Sequence, residues 1–447
     1  MTSWRFRYLI ILLLVSLMGC TALPFQLGSQ PKTGTTSPEI GITSTSTSLA
    51  TPPSVTSGTP EATAPTAQAI EVVSLRIWIP PEFDPEAENA ASRLLKTRLR
   101  QYVAANPDVR LDVRVKAAEG TGGLLDALVA ANAAAPLAVP DLVLLPRPLL
   151  ESAALKGLLH PYDQSTTIMD DPIWFEYARQ LAHIKDSTYA IPFAGDALAL
   201  VYRPSQIETP PPDLEAVLAT GKVLLFAATD PQALFTLCLY LGMDAGLQDE
   251  EGRPAIEVTA LSSILEFDQR SNLAGVMPYW LTQYSNDGQI WETFIGEDAP
   301  MAVTWAAAYL KQKHIAPADL ALAPLPTMKG TPFTLATGWG WALAGQDPER
   351  EKMAVKLAEF MADKEFLAQW SQAAGYLPPR RDSLQSWQQV EWQPVIEQIS
   401  SSARMMPSAE MISSLGPALE QAVVDVLKSQ SDPQNAAQAV IKQVNQP

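Results

Sequence analysis

Cysteine is almost absent from this chain, with two in 447 residues, Cys20 and Cys238. Such a pair cannot build a disulfide framework. Cys238 lies inside the apolar run ALFTLCLYLG and reads as a small core residue. Histidine is as scarce: His160, His183 and His314 are scattered, and no H-E-x-x-H, C-x-x-C or EF-hand spacing occurs. No dedicated metal site and no cofactor is therefore expected. Basic charge is also short, since 31 Lys and Arg face 48 Asp and Glu for a net charge of −17. A nucleic-acid surface needs a basic stripe, so the balance argues against that partner and against adhesion to anionic lipid through charge. Neither a G-x-S-x-G nucleophile elbow nor a His-based triad can be assembled, which argues against an enzyme. A retaining glycosidase needs only two carboxylates, and that class stays open on sequence alone.

What is present begins with one hydrophobic run, MTSWRFRYLIILLLVSLMGC. Arg5 and Arg7 precede a stretch too short for a comfortable span, which predicts an export signal over residues 1–19. Its end, LMGC, resembles the lipobox of bacterial lipoproteins. The resemblance implies cleavage before Cys20 and acylation of its thiol, hence an extracytoplasmic protein tethered to the bacterial membrane through that lipid. An uncleaved signal anchor or a plain secretory signal are the alternatives. Residues 20–70 turn to Thr, Ser, Pro, Ala and Gly, too poor in apolar surface to order themselves. They predict a tether whose reach is on the order of 40 Å.

The full chain is 47% apolar, and the part after residue 70 is long enough for two domains. EVVSLRIWIP alternates as a strand, with Asp84-Pro85 as a candidate cap for the helix that follows. NPDVRLDVRV, the helical GGLLDALVAANAAA and the apolar PDLVLLP complete a strand–helix alternation, which predicts a mainly parallel α/β sheet. A second α/β set follows: KVLLFAA and PMAVTW as strands, PQALFTLCLYLG as a helix, FTLATGWGWALAG as a returning strand. Asp347-Pro348 then opens another helix, and the tail from about residue 385 reads as largely helical. Between the two sets stands YAIPFAGDALALVY, an apolar strand interrupted by Pro192, Gly195 and Asp196.

Taken in order, these landmarks resemble the family 1 extracellular solute-binding proteins, the receptors of ABC importers that include maltose-binding protein. The pieces are LRIWIP, ANPDVRLDV, AAAPLAVPDLVLL, YAIPFAGDALALVYRPSQI, FIGEDAPMAVTW, LAPLP before TGWGWALAG, and the helix pair ending in GYLPPRRD, spanning about residues 72–440. The resemblance implies a two-lobe periplasmic-binding-protein-like (type II) α/β fold. The chain would cross three times between lobes, with the ligand cleft between them. It places lobe one at 71–192 and 339–380 and lobe two at 193–338 and 381–447. It also implies a monomer that catalyses nothing, captures a small solute, a carbohydrate in the first instance, and delivers it to ABC permease subunits. The alternative is the same fold acting as a sensor for a signalling partner.

That reading accounts for the interrupted strand. Pro192 and Gly195 would shape the first crossing, and the carboxylate of Asp196 would face a wet cleft and accept a ligand hydroxyl; capping a turn or pairing with an arginine is the other reading. Sugar faces stack on aromatic rings. The resemblance accordingly puts Trp305, Trp339 and Tyr376, with Trp280, at the ligand, while Gly338 permits close backbone approach. Core or rim aromatics are the plainer account of each ring. Glu82, after the first strand, is a candidate polar contact. The chain departs from the family where sugar receptors carry an aromatic and polar pair after PDLVLL: here stand Leu145, Pro146, Arg147 and Pro148. Nothing at 145 can stack, which argues against maltodextrin itself. Arg147 would hold an anion or simply be solvated.

Overall fold

Leu75, Ile77 and Ile79 alternate along the first strand, and all three are buried, as is Trp78 on the opposite face. Burial on both faces is what a strand inside a helix-covered parallel sheet shows. The structure, a computed structural model, describes residues 72–296, 299–312 and 319–445. The expected signal peptide (1–19), Cys20 and the tether (20–70) lie outside the described residues.

The strands are β1 (Val73–Ile79), β2 (Val109–Val115), β3 (Leu142–Pro146), β4 (His183–Ile184), β5 (Ser187–Thr188), β6 (Ile191–Tyr202), β7 (Leu224–Leu225), β8 (Met301–Trp305), β9 (Ala321–Ala323), β10 (Thr334–Leu343) and β11 (Ala403–Met405). Among the described residues, nine join one sheet in the order β2-β1-β3-β10-β6-β8-β7, with β11 beside β10 and β9 beside β6, while β4 and β5 form a small hairpin. β1, β2 and β3 run parallel, but β10 is antiparallel to both β3 and β6, so the sheet is mixed.

Two long strands organise the molecule. The first half of β6, to Ala197, pairs with β10, and the second half, from Leu198, pairs with β8 and β9. β6 is buried from Ile191 to Val201, which explains the apolar run. Pro192 is accommodated opposite Gly340, at a register shift between Trp339 and Gly340; a residue with no N–H to donate fits where a ladder is already broken. The stretch GYLPPRRD, Gly375 to Asp382, which the resemblance makes the third passage, runs alongside. Gly195 N–H donates to Leu377 O at 2.9 Å, and Leu377 N–H returns to Gly195 O at 2.8 Å.

Helix ends follow local chemistry, with one correction. Asp347 caps the helix Pro348–Met361 by accepting from Glu349 and Arg350. Asp84, expected to cap the first helix, instead accepts from Glu86 N–H at 2.8 Å within a turn. The helix Ala90–Ala105 starts later, where Asn89 accepts from Ser92. The helical tail is Gln393–Ser402, Ala409–Leu427 and Pro433–Val444, interrupted by β11.

Candidate functional site

The site grows from the three chain passages. Asp196 follows Gly195 on β6 and is 6% exposed. Its Oδ1 accepts from Ala197 N–H at 2.9 Å and from Ala307 N–H at 3.0 Å. The second bond caps the helix Ala306–Gln312, which begins directly after β8. The expected solvent-facing carboxylate is therefore a buried one, because its neighbour across the passage is a helix start with unpaired amides. Oδ2 has no hydrogen bond among the described residues. Burial pushes the Asp196 carboxyl up to about 7, against the backbone amides and the positive Lys311.

Trp339, on β10, is partly exposed and meets Phe83 at 5.6 Å and Tyr376 at 4.9 Å between ring centroids. Phe83 sits in the short turn Pro81–Phe83 after β1 and stacks on Tyr376. One aromatic from each of three separate chain segments thus converges here. Gly338 can have no side chain: an added Cβ would lie 2.6 Å from Ala194 O and 2.9 Å from Leu181 Cδ2. Tyr376 is buried, and its hydroxyl accepts a hydrogen bond from Lys311 Nζ at 2.7 Å, with that ammonium 3.9 Å above the ring. Lys311 as a residue is exposed, yet desolvation at its ammonium lowers its pKa, opposed by the charges of Asp196 and Glu82. Burial, then the same two carboxylates, pushes the Tyr376 hydroxyl well up. Glu82, exposed on the turn beside Phe83, thus lies within electrostatic range of Lys311 and Tyr376.

Trp305 ends β8 opposite Leu198 and lies near Asp287, at the start of the helix Asp287–Gly296, where it favours the charged carboxylate. Burial and then repulsion from Asp230 push Asp287 up to about 7. Asp230 itself accepts from Gln232 and Leu234, both at 3.0 Å. Trp280 stands apart: among the described residues its one ring contact is edge-on with Tyr284. Arg147 is half-buried and, among the described residues, is in no ion pair. Its Nη1 donates to the carbonyls of Gln180, Leu181 and His183 at 2.8, 3.0 and 2.8 Å, capping the C-terminal end of the helix Glu176–Ala182.

The structure therefore gathers Glu82, Asp196, Gly338, Trp339 and Tyr376 around the passages, with Trp305 one strand away. Phe83, Lys311, Asp230 and Asp287 belong to the same group and were missed. Phe83 and Asp230 follow apolar strands, so position after a strand end was the available signal. Lys311 left none, since it reaches Tyr376 only across 65 residues of sequence.

The profile of the family described as bacterial extracellular solute-binding protein matches residues 97–394. Among solved structures, the fold is similar to the cyclic alpha-maltosyl-1,6-maltose binding protein of Arthrobacter globiformis, at TM-score 0.70 and 16% identity over 84% of this chain and 98% of that one. It is similar to the sugar-binding protein MalE of Xanthomonas citri, at TM-score 0.70 and 18% identity over 83% and 96%. MalE of Listeria monocytogenes, in complex with maltose, aligns at TM-score 0.66 and 16% identity over 84% and 97%. No curated protein matches the sequence. At these identities the likeness is one of fold: two lobes joined by crossing strands.

Proposed function

The chain belongs to the bacterial extracellular solute-binding proteins, and from that premise we propose that it captures a small polyhydroxylated solute, a carbohydrate, between its lobes and delivers it to an ABC importer. It is a receptor, with no reaction of its own. We assign lobe one to 71–192 and 339–380 and lobe two to 193–338 and 381–447. The observation that carries this reading is the meeting of Phe83, Trp339 and Tyr376 beside Glu82, Asp196 and Lys311. Trp339, partly exposed against the buried Phe83 and Tyr376, suits the C–H face of a sugar, and carboxylates suit its hydroxyls. The similar proteins of Arthrobacter globiformis, which binds cyclic alpha-maltosyl-1,6-maltose, and of Listeria monocytogenes, in complex with maltose, support the solute class.

A thermal-shift screen against sugars, polyols, amino acids and glycerophosphodiesters tests it. Ligand at 100 times its dissociation constant stabilises by about 2.7 kcal/mol. Trp339→Ala and Trp305→Ala should each weaken the ligand found by roughly 1–3 kcal/mol. Unchanged affinity in both variants, with earlier unfolding, would make the two rings core residues and remove the site from this place.

Anchoring at Cys20, with 20–70 as tether, belongs to the same proposal. It rests on the LMGC stretch and on the scarcity of cysteine elsewhere. Cys20→Ala should move the protein from the membrane fraction to the soluble one; if that variant stays with the membrane, the anchor is something else.

A further inference from the structure

A cavity of about 760 Å³ lies between the C-terminal end of the helix Glu176–Ala182, the start of β10 and the segment from β11 to Met411. Gln180 and His183, flanking Leu181, line this cavity, and none of the residues gathered at the candidate cleft does.

Its chemistry is the reverse of the cleft's. Among the described residues no carboxylate lines it, although the chain carries a net charge of −17 and Glu151 lies within electrostatic range of Arg147. Two guanidiniums do, Arg147 and Arg404, and among the described residues neither is in an ion pair. Arg147 gives its Nη1 to three carbonyls, which leaves Nη2 and Nε without a hydrogen bond among the described residues. Arg404 is exposed and uses Nη1 only locally, on the carbonyls of Ser401 and Ala403. Beside the polar Gln180, His183, Gln248 and Ser408, the wall has an apolar, deformable part formed by Phe333, Leu247 and the three methionines Met405, Met406 and Met411. Methionine adapts to irregular shapes, and a volume of this size is that of a small-molecule site.

We propose that this cavity is a second binding site, for an amphipathic organic anion: a carboxylate or sulfonate held by Arg404 and Arg147, on an apolar body lying against Phe333 and the methionines. Guanidinium forks suit such planar or tetrahedral oxyanions. The inference is independent of the cleft and of what the cleft binds.

The test titrates the full chain with 8-anilino-1-naphthalenesulfonate, which carries one sulfonate on an aromatic body, and with neutral N-phenyl-1-naphthylamine. Saturable one-to-one binding of the sulfonate is expected, with the neutral compound about tenfold weaker, the loss of one charge-assisted hydrogen bond. Arg404→Gln removes an exposed charge whose other contacts are two carbonyls within three residues of it, and Gln248→Glu adds a carboxylate to an exposed lining position. Each should weaken the sulfonate about tenfold and leave the melting temperature where it was. A loss of affinity in either variant, with an intact fold, supports the site. No saturable binding, equal affinity for the charged and neutral compounds, or a sulfonate affinity unchanged in both variants overturns it.

Discussion

Gly195→Ala should lower the free energy of unfolding by roughly 3–5 kcal/mol, far more than a methyl group usually costs. The added Cβ would sit 2.5 Å from Cε2 and 2.7 Å from Cζ of Tyr177, closer than carbon atoms approach. Tyr177 cannot step aside, because it is fully buried and its hydroxyl donates to Pro378 O at 2.9 Å. Overpacking of a tight core costs about 1–3 kcal/mol, and leaving a buried hydroxyl unpaired adds about 1–3. The same residue exchanges two backbone hydrogen bonds with Leu377, so the strain falls where the first and third passages touch. Urea denaturation of the single variant measures the loss. Tyr177→Leu in the same chain makes room, and the double variant should recover part of it, giving a coupling of the sign that direct contact produces. A single variant within about 0.5 kcal/mol of wild type, the range of an ordinary surface change, would mean that the passages are loosely packed there.

The same stretch shows what was legible in the sequence. Pro192, Gly195 and Asp196 are each costly in an ordinary buried strand, and together they marked β6 as one serving two sets of partners. Asp347 was legible because a cap is a local matter of three residues. Asp84 had the same local appearance and capped no helix, since four residues of turn, Pro85 to Glu88, intervene before Asn89 takes the role. Three-residue β11 reads as nothing in isolation. It becomes a strand only because Thr334, Leu335 and Ala336 pair with it, and such long-range pairing leaves no periodicity to find. The burial of Asp196 was hidden for the same reason: the amide of Ala307 that occupies it lies 111 residues away. The capping role of Arg147 was hidden because its three carbonyl partners lie at the end of another helix, more than thirty residues on.

Asp268 provides the other large effect, with the opposite sign. It lies on the helix Val258–Leu273, is 3% exposed, and has no hydrogen bond or ion pair among the described residues. Ser271, one turn on, also leaves its hydroxyl without a partner. Burial alone pushes the Asp268 carboxyl up to about 7, against about 3.9 in an unfolded chain. Between those values the folded protein holds a proton that the unfolded chain has released. Stability is therefore fullest below pH about 4 and falls as pH rises towards 7. Three units at 1.36 kcal/mol each put the full penalty near 4 kcal/mol, an upper figure because a charged interior relaxes and admits water. Asp268→Asn should accordingly be more stable than wild type by roughly 2–4 kcal/mol at pH 8 and indistinguishable from it at pH 4. Asp196 and Asp287, also raised to about 7, tilt both proteins alike, so the difference between them isolates Asp268. Urea denaturation of the two proteins at pH 4, 6 and 8 measures it. Asp268→Leu serves as a second variant, since it removes the charge without asking for any hydrogen bond. A gain of the same size at every pH would assign the effect to packing, and a loss in both variants at pH 8 would mean that the carboxylate has a partner after all.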